Sequence, residues 1–433
     1  ESNASGNGSL IVEGTATGSA TVQRYFVGYT GADNGWHNIG SPVDNMAISG
    51  SDFDPGANDD LYQWDESSDT WENYKQGSFT NFVNGKGYLC AFENTGTKEF
   101  VGTLNTGDFT MTGLTKDSWG FNMLGNPYAS ALVWNNGDWT LTNVGAVAQI
   151  WEETNASYTA IAADGIIPST NGFFVEVASA AGGSVTIPAS ARTHDVANNY
   201  KNTEITTYQE TLDLRVSNDV NTFYDITRIG FRENATEAWD IQYDAHKLFG
   251  GSGTSQIWSV VNNENFVFNY LPYVYETYQV PIYFRAGVDA IHHINVEGID
   301  SFFGNSEIYL EDLQTEEVIN LNEQQMYSFM ATTDDAENRF VLHFFGVTSV
   351  DEPNVADGEA KIYTVNQTVF IKFNTMTNSN SQVDVFNTIG QQVYTGQLTP
   401  QSLSSIQLNE KPGIYIVRLR TENGLTTQKV MIK

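Results

Sequence analysis

Ile414-Tyr-Ile-Val-Arg-Leu-Arg420, the polar step Glu422-Asn-Gly424 and Thr427-Gln-Lys-Val-Met-Ile432 bring the chain to its last residue, Lys433. Apolar and polar side chains alternate through both arms, which is the period of a strand with one dry face, and Asn-Gly between such arms signals a hairpin. Working upstream, Lys361-Ile-Tyr-Thr-Val365, Thr368-Val-Phe-Ile-Lys-Phe373 and Ser381-Gln-Val-Asp-Val-Phe386 show the same period. Asn387-Thr-Ile-Gly390 then supplies a turn into Gln392-Val-Tyr394, with glycine where a positive φ is tolerated. Ser405-Ile-Gln-Leu408 and the turn Glu410-Lys-Pro-Gly413 complete the run. Six to seven strands in the 73 residues 361–433 suit a small immunoglobulin-like sandwich.

The rest of the chain reads the same way. Gly87-Tyr-Leu-Cys-Ala-Phe-Glu93, Gly172-Phe-Phe-Val-Glu-Val177, Gln279-Val-Pro-Ile-Tyr-Phe-Arg285 and Arg339-Phe-Val-Leu-His-Phe-Phe345 are rich in β-branched and aromatic residues. Gly, Asn, Asp or Pro punctuates such runs every 8–12 residues or so. No apolar spacing of three and four residues marks an amphipathic helix of more than about two turns. The expected class is all-β, built as tandem antiparallel β-sandwiches with the seven-strand unit at the C-terminus.

Composition narrows the function classes. The 433 residues carry 52 acidic and 20 basic side chains, a formal charge of −32. Such an excess repels nucleic acid and anionic bilayers. The single cysteine, Cys90, excludes an intrachain disulfide scaffold. A 40% apolar share with 25 Phe, 21 Tyr and 9 Trp is enough to bury cores and argues against disorder. No run approaches the roughly 18 apolar residues of a membrane-spanning helix. The chain starts at Glu1 without an initiator Met, so a mature or trimmed product is expected, any signal peptide being gone.

Composition shifts set the expected boundaries: a linker tail over 1–19, a β-rich domain over 20–200, a β-sandwich over 201–345, a linker over 346–360 and a terminal module over 361–433. The terminal module holds seven basic residues against three acidic ones, a net of +4, so the preceding 360 residues carry −36. A change of sign at a linker points to a separate module with a separate partner.

Three blocks of that module, Val385-Phe-Asn-Thr-Ile-Gly-Gln-Gln-Val393, Lys411-Pro-Gly-Ile-Tyr-Ile-Val-Arg-Leu419 and Gln428-Lys-Val-Met-Ile-Lys433, resemble in order and terminal placement the type A sorting domain of the type IX secretion system of Bacteroidota. The resemblance implies an export signal held by an outer-membrane shuttle barrel (PorV), passed through a translocon barrel (SprA/Sov) and acted on by a surface sortase. It implies as signal residues Gly390, Pro412, Gly413, Tyr415, Lys429, Val430 and Lys433. It also implies removal on export, so a chain that reaches Lys433 is expected to be a precursor, a transport intermediate bound to the translocon, or an uncleaved cargo. An immunoglobulin-like module with another ligand is the alternative reading of the same strands.

The acidic body is similar to the β-rich region that precedes sorting domains in large adhesin-like surface proteins. The resemblance rests on Gly35-Trp-His-Asn-Ile-Gly-Ser-Pro-Val43, Tyr62-Gln-Trp-Asp65, Gly120-Phe-Asn-Met-Leu-Gly-Asn-Pro-Tyr128 and Ile187-Pro-Ala-Ser-Ala-Arg192. No Gly-x-Ser-x-Gly elbow, His-Glu-x-x-His, phosphate loop or Cys-x-x-Cys pair occurs in it. His292-His293 is the one cluster among six histidines, and neighbours on a strand point to opposite faces. Asp52, Asp54, Asn58, Asp59 and Asp60 in a Gly/Pro loop offer the hard oxygens a Ca²⁺ site requires, or are a solvated loop. Trp64 and Trp71 flank a turn as a platform for sugar stacking, and Trp134 and Trp139 flank another, unless all four face a core. The expected function is a non-enzymatic, adhesin-like cargo exported to the cell surface by the type IX system. A glycan-binding or glycan-degrading cargo is the alternative.

Overall fold

The computed structural model describes the chain from Ser2 to Ile432, apart from 4–5, 32–33, 195–209, 274–276, 303–306, 346–359, 366, 374–380, 388–389, 400–402, 409, 412 and 423. The described residues are strands and turns, with single 3-10 turns at Tyr74–Gln76, Ala189–Ala191 and Ile299–Ser301 and no α-helix among them. The all-β class expected from the strand spacing is the observed one. The boundary expected at 200 to 201 and nearly all of the expected 346–360 linker lie outside the described residues.

The chain divides into two compact units, the first comprising 1–273, 280–302 and 324–342, the second 274–279, 303–323 and 343–433. In the first unit, Trp36–Gly40, Gly87–Ala91, Asp60–Asp65 and Thr70–Asn73 form a four-stranded antiparallel sheet in that order. Ala20–Phe26 pairs with Gly96–Gly102 beside it, and Phe26, Phe53, Phe82, Tyr88, Phe92 and Phe100 fill the core. Most of their rings meet edge to face, as Phe53 and Phe82 do at 5.2 Å, the geometry that ring quadrupoles favour.

A second core, around Trp134, Trp139 and Phe173, lies under the sheet of Phe121–Gly125, Gly172–Glu176, Ala148–Glu152 and Ser157–Ile161. Every residue of the first two of these strands is buried, so both of their faces are covered. Gly40 and Gly125 let the strands approach: a Cβ on Gly40 would stand 2.5 Å from the Cα of Gly125.

The third sheet of this unit includes Thr211–Asn218, Tyr224–Phe231, Gln256–Val261, Glu264–Leu271, Ala290–Glu297 and Met326–Ala331. Here the structure departs from purely antiparallel pairing, because Tyr224–Phe231 runs parallel to Glu264–Leu271. The 32 residues between them give the crossover that a parallel pair needs. They end in a hairpin whose two central residues, Asn262 and Asn263, adopt φ of 52° and 66°. That is the turn that asparagine tolerates and that matches strand twist.

Several charges of the core are paired. Arg24 donates to Glu153 at 3.0 Å and to the carbonyls of Asn38 and Thr170. His37 approaches the same Glu153 carboxylate at 2.6 Å. Burial pushes Glu153 up, but the adjoining His37 and Arg24 outweigh it and hold the carboxyl below its usual range. Arg228 pairs with Asp213 at 2.7 Å, and Lys247 with Asp225 at 2.6 Å. The stretch 1–19, expected as a linker tail, is tied to the unit: Ser2–Asn3 pairs with Gly6–Asn7, Leu10 donates to Ala129, and Arg192 donates to Val12. Its backbone groups take partners that its small side chains could not foretell.

Glu66 shows how loops are held. Its carboxylate accepts from Thr115 Oγ1 and from the backbone N–H groups of Asp117, Ser118 and Gly120 at 2.8–2.9 Å. Burial raises its pKa, yet these four bonds win and lower it. A carboxyl depressed in the folded state stabilises above its unfolded pKa of about 4.3 and loses that contribution as pH falls through the folded value. We predict that Glu66→Gln costs on the order of 3 kcal/mol near neutral pH, and that the gap from wild type closes on acidification. Melting temperatures from pH 7 to pH 3 check this, and a gap that stays constant rejects it.

Candidate functional site

The second unit contains the C-terminal module. A hairpin of β1 (Glu307–Asp312) and β2 (Glu317–Asn320) precedes it. The module itself has β3 (Ala360–Val365), β4 (Thr368–Phe373), β5 (Ser381–Asn387), β6 (Gln392–Leu398), β7 (Leu403–Gln407), β8 (Gly413–Arg420) and β9 (Leu425–Ile432). These make a three-stranded sheet, β3-β4-β7, and a four-stranded sheet, β6-β5-β8-β9. Ile362, Val369, Ile371 and Phe373 from the first meet Val383, Val385, Tyr415, Val417, Leu419, Val430 and Ile432 from the second in one core. The closing hairpin is as expected, with β9 starting two residues earlier, at Leu425, and Thr421 N–H donating to Gly424 at 2.9 Å across the turn.

Of the residues expected as the signal, Gly390, Gly413, Tyr415 and Val430 come together at one end of the four-stranded sheet. Asn387 at the end of β5 stands opposite Tyr415 on β8, and Tyr415 stands opposite Val430 on β9. The Asn387–Gln391 turn that carries Gly390 leaves from the same end. Gly390 has φ +82°, as its place in the turn requires, with nothing within 4 Å of a would-be Cβ. Gly413 proves not to be a left-handed turn residue. It opens β8, opposite Ile432, and no close backbone neighbour crowds it.

Tyr415 is buried to 6% exposure, and its hydroxyl donates to the Lys411 carbonyl at 2.8 Å. A tyrosine that reaches back over a few residues pins the corner leading into its strand. This explains the residue four places after Lys411. Lys429 stands opposite Ile416 in the register, and Pro412 and Lys433 lie outside the described residues.

The outer face of this sheet is apolar and cationic. Ile416 and Leu425 are 37% and 56% exposed, and the Arg418 guanidinium lies 4.9 Å from the Phe386 ring centre. Asp384, directly opposite Arg418, accepts from Thr395 Oγ1 at 2.7 Å. On this face exposed aliphatic side chains stand beside one arginine in cation–π contact, Arg418.

In the body, the structure disperses the residues expected to bind Ca²⁺. Asp52 accepts from Glu99 N–H, Asp54 from Gly50 N–H, and Asp59 from Glu93 and Gly56 N–H, while Asn58 donates to Glu93. Asp60 lies 3.8 Å from Lys75. Each carboxylate is taken by nearby backbone or a lysine, and no group of three or more acidic, His or Cys side chains is gathered for a metal among the described residues. Trp64 and Trp71 face each other across a strand pair. They pack edge to face on Phe174, and Trp64 Nε1 donates to the Phe121 carbonyl. Partly buried, they pack against a small apolar cluster with Phe121 and Met123. Trp134 and Trp139 are core residues, at 0% and 7% exposure. His292 is fully buried against Ser255 Oγ, while His293, on the other face, meets Asp219. The sequence offered no signal for Glu66 or for the Arg24–His37–Glu153 cluster, whose members are far apart along the chain.

Residues 365–433 match the family described as the secretion system C-terminal sorting domain. The chain thus carries a C-terminal sorting domain, which indicates a cargo of the type IX secretion system. Residues 135–344 match a domain of unknown function (DUF8693), and no curated protein matches the chain. The sorting domain sends its cargo across the outer membrane to the cell surface or beyond, and no helix among the described residues is long and apolar enough to span a membrane.

Two substitutions probe the sorting module's end. Tyr415→Phe removes one hydrogen bond and is expected to cost about 1 kcal/mol. Gly390→Ala meets open space but an unfavourable φ, for a similar cost of about 1 kcal/mol. Hydrogen exchange of the β8 and β9 amides in the full chain should accelerate several-fold in each variant; unchanged exchange in both would remove the proposed corner.

Proposed function

We propose that this chain is a non-enzymatic, adhesin-like surface cargo whose sorting module is recognised by the outer-membrane shuttle barrel (PorV), delivered through the translocon barrel (SprA/Sov) and presented to a surface sortase. The observation that carries the reading is the gathering of Gly390, Gly413, Tyr415 and Val430 at one end of the four-stranded sheet, next to its apolar and cationic face. A receptor can read such an end through backbone, shape and charge together. The acidic, aromatic-cored body is the part delivered. Four of its carboxylates, Glu66, Glu153, Asp213 and Asp225, are engaged by backbone N–H groups, arginine, histidine or lysine, which suits a structural and adhesive role.

In a type IX-competent cell, the full chain is expected at the surface, accessible to added protease, and the chain ending at residue 345 is expected to stay in the periplasm. Affinity capture of the full chain should retain the shuttle barrel, and Arg418→Glu with Arg420→Glu should weaken that capture at least tenfold. Surface delivery of the truncated chain would overturn the sorting role, and barrel capture indifferent to the charge reversal would overturn the proposed face.

A further inference from the structure

The strand β4 breaks the rule for a two-sheet module. Val369, Ile371 and Phe373 face the module core, so Phe370 and Lys372 point away from it; yet these two are only 4% and 5% exposed. A consecutive run such as Val369-Phe-Ile marks a strand covered on both faces. What covers the second face is the β1–β2 hairpin. Tyr309 and Val318 form one apolar cluster with Phe370 and Leu403. Lys372 Nζ lies 2.8 Å from Glu307 Oε2, which also accepts from the Tyr309 hydroxyl at 2.6 Å. His343 stands against the Phe370 ring at 5.2 Å and meets Glu311 Oε2 at 2.8 Å.

We infer that the 307–320 hairpin is a dedicated docking platform for the sorting module, and that the module is carried in one fixed pose with its four-stranded sheet as the presented face. The occupant of the β4–β7 face is therefore this segment of the same chain. Charge complementarity fixes the choice, because the hairpin side offers Glu307 and Glu311 and the module side offers a buried lysine whose ammonium must be matched. Alternation along β1 places Glu307, Tyr309 and Glu311 on one face, while Ile308 and Leu310 are buried on the other. The hairpin belongs to the region matching the domain of unknown function, which thereby gains a role: it bears the export signal. The inference rests on the sorting assignment only through its export readout.

Zero-length carbodiimide cross-linking of the intact chain tests the pose without mutation. A Lys372–Glu307 cross-link is expected by mass spectrometry, with the exposed Lys75–Asp60 pair, 3.8 Å apart, as the internal control. Mixing isotopically light and heavy chains should give only same-mass products. The control link without the Lys372–Glu307 link would overturn the docking, and mixed-mass products would assign the face to a second copy. Glu307→Lys should speed amide exchange in β4 and β7 at least tenfold, and Lys372→Glu in the same chain should restore it. No acceleration in the single variant, or none of the restoration, counts against the platform. Should Glu307→Lys prevent folding, Leu403→Ser read by the same exchange decides. In cells the single variant is expected to reach the surface more slowly and the double variant normally. If docking is disrupted in vitro while export is unaffected, the platform role fails and the sorting role stands.

Discussion

A strand has two faces, and among the described residues of this chain no α-helix exists to cover either. Every sheet must therefore be closed by another sheet, a hairpin or a loop, and that single constraint organises the molecule. It explains the aromatic cores of the body, where Phe, Tyr and Trp rings fill the space between sheets with few residues. It also explains Phe121–Gly125 and Gly172–Glu176, buried along their whole length, where glycine lets backbones approach without side chains between them. In the sorting module the same constraint makes β4 depend on a hairpin from outside its own two sheets.

The charge distribution follows from the same closure. With 20 basic residues against 52 acidic ones, cations are scarce, and Arg24, Arg228, Lys247, Arg339 and Lys372 are buried. Arg24, Arg228, Lys247 and Lys372 each have a carboxylate within 3.0 Å. Removing one partner of such a pair typically costs about 3–5 kcal/mol, since the other charge is left in a poorly solvating interior. The acidic excess is thus worn mostly outside, which suits a protein that must remain soluble at a cell surface, while the sorting module shows arginines on the outer face of its four-stranded sheet.

Much of the module is legible in the sequence. Its strands, its closing hairpin and the positive φ of Gly390 follow from period two and turn chemistry, which are local. The opposed faces of His292 and His293 follow from the same alternation. The body's sites were legible only as residue types. An Asp-rich loop reads alike whether its carboxylates hold an ion or cap their own backbone, and here Asp54 and Asp59 bond to Gly50 and Gly56 a few residues away. Trp64 and Trp71 read alike as a platform or a plug, because Phe174, which takes their edges, lies about a hundred positions further on.

Alternation suffices to read an all-β chain, because side-chain period and turn geometry are properties of neighbouring residues, and the resemblance of three motif blocks to a known family adds the type IX sorting domain. Tertiary structure alone decided what meets the second face of each strand: the donors that surround Glu66, the parallel pairing of Tyr224–Phe231, the convergence of Gly390, Tyr415 and Val430, and the hairpin under Phe370 and Lys372. Those contacts join residues tens of positions apart, and local periodicity carries no record of which distant segment will arrive.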